Sequence, residues 1–180
     1  INVINSDLEI SDTKITNSNS EDAINIISSN SLIKNLIVKN IEADAIDIDF
    51  GKVNFENISC EDISNDCFDA SGADISGSFL TGNKIYDKGL SFGENSIGEI
   101  SNIDFQNAKL GIAVKDGSKL KLSNYKLLNN EYDLAVFNKK REYDSSLLNI
   151  SDPIEDNKLK FLIGFKNNII KDNIYLDEKI

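Results

Sequence analysis

Asp44-Ala45-Ile46-Asp47-Ile48 (DAIDI) is the stretch whose reading decides the fold. Twenty-two residues earlier stands DAINI (Asp22–Ile26), and twenty-two later DCFDA (Asp66–Ala70). The same step reaches KGLSF (Lys88–Phe92), LGIAV (Leu110–Val114) and YDLAV (Tyr132–Val136), six copies in one register. In each copy the third and fifth residues are apolar: Ile24/Ile26, Ile46/Ile48, Phe68/Ala70, Leu90/Phe92, Ile112/Val114 and Leu134/Val136. Alternation at period two marks a strand with one buried face.

The rest of the unit repeats as well. After DAIDI come Val53 and Phe55, then Ile58 and Cys60, then Ile63, and matching apolar sets occur in the coils before and after. Each coil therefore holds three short strands that point their apolar side chains into one column. Between the second and third strands runs a mostly polar column: Asp12, Asn35, Asn57, Phe79, Asn102, Asn124. A second runs Asn17, Asn40, Asp62, Lys84, Asn107, Asn129. Asparagine tolerates the left-handed conformation of a tight corner, and its amide can bond its equivalents above and below. From the Lys88 coil onward an extra residue falls after the first strand, near Gly93–Gly98.

This pattern predicts an all-β fold, a right-handed three-sided parallel β-helix of about 22 residues per coil and six to seven coils. The apolar runs are too short for helices. The LxxLxLxxN frame of leucine-rich repeats and the glycine-dense units of calcium-binding nonapeptide helices are both absent. Residues 1–137 are read as coils and 138–180 as closing strands of the same domain, since the end coils of a solenoid must be covered. Leu147–Ile150, Leu159–Phe165 and Asn168–Leu176 read as strand-like, with a loop at Ser151–Lys158 around Pro153. No such cover is legible at Ile1–Ile10, and the lack of Met adds to an expectation that a neighbouring domain of a larger protein packs there.

Composition narrows the chemistry. Net charge is -11 and the pI about 4.5, which argues against nucleic acid and anionic membrane surfaces as partners. No long apolar run is present to insert in a membrane. There is no His, Met or Trp, and Arg141 is the one arginine, so acid–base work falls to Asp, Glu, Lys, Tyr or Ser. Cys60 and Cys67 form no disulfide framework and no CxxC motif, and are read as small packing residues.

Coils stack at about 4.8 Å, so outward first-strand residues form columns. One reads Asn25, Asp47, Asp69, Ser91, Ala113; the next Ile27, Asp49, Ser71, Gly93, Lys115; the strand entrance Asp22, Asp44, Asp66, Lys88. Two carboxylates roughly 5 Å apart repel by roughly 3 kcal/mol at an effective dielectric near 20. A cation, a neighbouring lysine, a retained proton or splaying into water would relieve that.

A three-strand coil with an asparagine corner resembles the pectate-lyase superfamily of β-helices over about residues 8–137. The resemblance implies an active cleft on the outside of the first strands, where the Asp columns lie. Those strands also resemble the polygalacturonase run NTDG, GDD, GHG, RIK. Here the corresponding residues are Glu42-Ala43-Asp44-Ala45, then Ser64-Asn65-Asp66, then Asp87-Lys88-Gly89, then Ala113-Val114-Lys115. Asp44, Asp66 and Lys115 are kept. The general acid is replaced by Asn65, the histidine by Lys88 and the arginine by Ala113. The resemblance to lyases implies Asp44, Asp47, Asp66 and Asp69 as Ca²⁺ ligands, Lys88 as base, and Lys115 or Arg141 as carboxylate binders. The phrases DAIDIDF, NDCFDASG, KGLSFGE, GIAVKD and NKKREY further resemble β-helical modules at the C-terminal ends of large bacterial surface or secreted proteins, including spore-coat-kinase-like ones.

Three functions are therefore expected of this chain. The first is a non-catalytic module, needing no cofactor, that engages polysaccharide or a neighbouring domain through the outer first-strand face at a cell surface or outside the cell. The second is a lyase or hydrolase acting on acidic glycans through Asp44, Asp66 and Lys88, aided by Asp47, Asp69, Lys115 and Arg141. The third is a structural spacer or oligomerisation unit.

Overall fold

The computed structural model describes residues 1–151, 159–171 and 174–176. They form an all-β parallel solenoid of about seven turns with a repeat of about 22 residues. The predicted Ser151–Lys158 loop lies outside the described residues except for its first.

The DAIDI register is the register of the sheet. Asp22 pairs with Asp44, Ile24 with Ile46, and Asn25 with Asp47, which pairs in turn with Asp69. On the second-strand face Ile33 stacks on Phe55, Phe55 on Gly77, Gly77 on Ile100 and Ile100 on Leu122. On the third, Val38, Cys60, Gly82, Phe105 and Leu127 follow in order. The third and fifth residues of all six first-strand copies are fully buried. At about 25 cal/mol per Å² of apolar surface, this continuous column is the main driving force of folding.

Corners work as the side chains require. Both predicted polar columns are left-handed at every member, from Asp12 at φ 48° to Asn57 at 62°. Their amides form ladders: Asn57 Nδ2 donates to Asn35 Oδ1 at 3.0 Å, and Asn35 Nδ2 to Asp12 Oδ1 at 2.8 Å. Phe79 holds the same conformation without such a bond and leaves its ring exposed. A third left-handed column, unread in the sequence, follows the first strand at Asn5, Ser28, Phe50, Gly72, Glu94 and Asp116. Glu94 and Asn95 are both left-handed, which places the extra residue where the repeat predicts it.

Aromatic side chains in a column this narrow need room from their neighbours. A Cβ at Gly77 would lie 2.4 Å from the Phe55 ring, and one at Gly89 would lie 2.5 Å from the Phe105 ring. The reading of Cys60 and Cys67 needs correction: both are buried in the core, but they are joined as a disulfide with Cα atoms 5.9 Å apart. Seven residues separate them, yet the third-strand corner between them turns the chain so that both face inward.

Parallel stacking runs past Phe137. Leu147–Ile150 pairs with Lys119–Leu122, Phe161–Ile163 with Leu134–Val136, and Asn168–Lys171 with Leu147–Ile150. Among the described residues, direction reverses at Ile174–Leu176, which lies antiparallel on Asn168–Lys171.

Two outcomes are expected. Replacing both cysteines by alanine should lower stability by about 2–3 kcal/mol, since the closed loop is short, as read from denaturant unfolding against the oxidised protein. Gly77→Ala should cost about 1–3 kcal/mol by forcing the Phe55 ring from its place, measured the same way.

Candidate functional site

The outward columns of the first strands gather the acidic residues on one face. Asp22, Asp44, Asp47, Asp49 and Asp69 are half-buried there, while Asp66 is buried at 2% exposure. The entrance column has a structural task. The Asp44 N–H donates to Asp22 Oδ1 at 3.3 Å, the Asp66 N–H to Asp44 Oδ1 at 2.7 Å, and the Lys88 N–H to Asp66 Oδ1 at 2.9 Å. Each carboxylate thus holds the backbone of the next coil, which satisfies amides that the strand ladder leaves open.

Two lysines enter this face. Lys88 Nζ lies 3.2 Å from both carboxylate oxygens of Asp66 and also bonds Asp87. Lys115 Nζ donates to Ser91 Oγ at 2.7 Å and stands 3.7 Å from Asp69 Oδ1. It reaches them because Gly93, directly beneath it, has no side chain; a Cβ there would lie 2.8 Å from Lys115 Cε.

The carboxyls pay electrostatically for their crowding. Burial, more than the adjacent carboxylates, pushes Asp44 and Asp47 up to about 7. Burial also lifts Asp66, to about 6, against the pull of Lys88. Asp22 and Asp49 are raised for the same reason. Lys88 is itself raised: burial alone would lower it, but Asp66 and Asp87 outweigh that. A proton retained on the carboxyls and a lysine beside Asp66 and Asp69 are two of the ways expected to relieve the stack.

The expected site residues are brought together unevenly. Asp44, Asp47, Asp66, Asp69, Lys88 and Lys115 share the face. Arg141 stands exposed on the Asn138–Asp144 segment. That segment is tied down by Asp116, whose Oδ1 accepts the N–H groups of Lys139 and Lys140 at 2.7 Å. Lys140 pairs with Glu94, and Tyr143 Oη donates to Glu94 Oε2 at 3.4 Å. The Glu94–Lys140–Tyr143 cluster was missed in the sequence; its only signal is a charged insertion where the repeat breaks. Among the described residues no three acidic side chains converge as a metal ligand set, because Asp44, Asp66 and Asp69 are turned to amide and lysine partners. Two open grooves lie elsewhere, one of about 450 Å³ lined by residues such as Asp7, Asn30 and Lys52, the other of about 300 Å³ beside Glu61 and Asp104.

Comparison with family models, with curated proteins and with solved structures found no match.

The raised carboxyls make stability pH-dependent. Asp44 and Asp47 titrate near 7 when folded and near 3.8 ordinarily, so between these values the folded chain holds more protons than the unfolded one. Their contribution is complete below about pH 4 and is lost as pH rises through about 7. The melting temperature should therefore rise on acidification from pH 8 to pH 5, and Asp47→Asn should flatten that rise by stabilising the protein at pH 8. Calorimetry across this range checks both.

Proposed function

We propose that this chain is a non-catalytic β-solenoid module of a larger bacterial surface or secreted protein, engaging polysaccharide through the outer face of its first strands. The observation that carries this reading is a patch of half-buried carboxyls on one side of the solenoid: Asp44, Asp47 and Asp49 along one first strand, with Asp22 in register with Asp44 on one neighbouring coil and Asp69 in register with Asp47 on the other. Carboxyls gathered on one face offer hydrogen-bond acceptors, and donors where protonated, to neighbouring hydroxyl groups of a sugar polymer. The Cys60–Cys67 disulfide supports an oxidising compartment, in keeping with the surface or secreted location.

Catalysis is the second reading, favoured by the range in which Asp44, Asp47 and Asp66 titrate, where a carboxyl can serve as general acid. Lys88 argues against the elimination version. It sits between Asp66 and Asp87 with its affinity for the proton increased, the reverse of what a base needs.

One experiment separates the readings. The full chain is titrated calorimetrically with neutral, acidic and amino-sugar polysaccharides, and the same mixtures are followed for unsaturated uronate and new reducing ends, with and without Ca²⁺. Saturable binding without product is expected, weakened about tenfold or more in an Asp47→Ala, Asp49→Ala double variant, on the order of two lost charged hydrogen bonds. Turnover abolished by Lys88→Ala would replace the binding role with an enzymatic one. Binding to none of the polymers would remove the glycan reading.

A further inference from the structure

The pair Lys115–Asp69 has no task in the reading above, and its chemistry is independent of whether a glycan binds. Both partners lie largely out of water: the Lys115 side chain is 9% exposed and that of Asp69 21%. Asp69 Oδ1 is fully buried and accepts no hydrogen bond among the described residues, although Nζ is 3.7 Å away. The Lys88–Asp66 pair differs in this respect. Both Asp66 oxygens accept from Lys88 Nζ, and Oδ1 also accepts the Lys88 amide, so that carboxylate is satisfied. A buried ion pair missing one of its hydrogen bonds recovers little of what its two charges lost on leaving water.

Three conditions for amide formation meet at Asp69. The amine is delivered at close range by the gap above Gly93 and steadied by Ser91 Oγ. Water, which would reverse the reaction, is largely excluded. A second carboxyl, Asp47, is the direct register partner of Asp69 one coil away.

We propose that the folded chain condenses Lys115 with Asp69, forming an Nζ–Cγ amide and releasing one water. The ammonium gives one proton to the Asp69 carboxylate. The freed amine adds to Cγ, and Asp47 passes a proton to the departing oxygen while taking one back from nitrogen. The Cγ–O bond breaks, water leaves, and no oxidant or further reactant is needed. Two opposite charges disappear from a site that solvates them poorly. Asp47, which titrates near 7, still carries its proton in part of the population at neutral pH. The product is a staple between the Asp69 and Lys115 coils, spanning the coil of Ser91.

Mass decides the matter. The full chain is purified folded, held at neutral pH, reduced to open Cys60–Cys67, denatured and weighed intact. The expected mass is lower than that of the sequence by one water, with a branched peptide joining Asp69 to Lys115 after digestion. Lys115→Arg and Asp69→Ala should each restore the full mass, and Asp47→Asn should slow its loss. A wild-type chain of full mass after prolonged incubation overturns the proposal. So does a water loss that persists in Lys115→Arg, which would be cyclisation of an aspartate on its own backbone. An unchanged rate in Asp47→Asn removes the role given to that residue.

Discussion

Everything in this molecule follows from parallel strands that pair in one register, coil upon coil. Each side chain rests on its own equivalent at the spacing of a sheet. A column must therefore be a residue type that tolerates itself as a neighbour. Isoleucine and valine do so through dispersion and burial, and they fill the interior. Asparagine does so because its amide is both donor and acceptor, and it takes the corners. Phenylalanine succeeds only where the adjoining coil supplies glycine, as Phe55 does over Gly77.

Aspartate is the residue type that tolerates stacking least, and the acidic face shows how the chain accommodates it. In the entrance column the cost is offset by giving each carboxylate a backbone amide from the next coil. Burial still raises the entrance carboxyls Asp44 and Asp66, as it raises Asp47 in the outward column, where Asp69 meets Lys115 instead. The features that make this face resemble a reaction centre, carboxyls titrating near neutrality beside lysines, thus also arise from stacking alone. What distinguishes a group free for outside chemistry is the absence of an internal partner. By that measure Asp47 and Asp49, whose carboxyls bond no partner among the described residues, are better placed to meet a ligand than Asp44 or Asp66.

The repeat made the fold legible because a 22-residue period assigns core, corner and outer roles at once. Ile46 and Ile48 could be placed inside, and Asn35 and Asn57 at corners, from spacing and residue chemistry alone. The corner after the first strand was not legible. Its members, Ser28, Phe50, Gly72 and Glu94, share a conformation but no chemistry, so no pattern appears in the letters. The disulfide was hidden for a related reason, since a short separation says nothing about which way two side chains face around a corner. The charged columns were legible as columns, whereas their partners were not. The alignment of Lys115 with Asp69 depends on a diagonal reach across Gly93, and the amide bonds of Asp44 and Asp66 depend on backbone direction.

That unread corner is also where chain length is negotiable. Two residues link the first and second strands at Phe50–Gly51, three at Glu94–Ser96, and nine at Asn138–Ser146. Yet Leu147 still meets Lys119 in register after the longest of them. A coil can lengthen here because the bonds that tie this corner to its neighbours sit at its two ends, such as Phe50 N–H to Ser71 O and Lys119 N–H to Ser96 O, and extra residues loop out between them. The solenoid thus behaves as a rail with one tolerant seam, along which new segments such as the Lys140–Tyr143 flap can be added beside the acidic face. Variation among chains of this build is then expected to concentrate along that edge, since the corner between third and first strands varies by only about one residue from coil to coil.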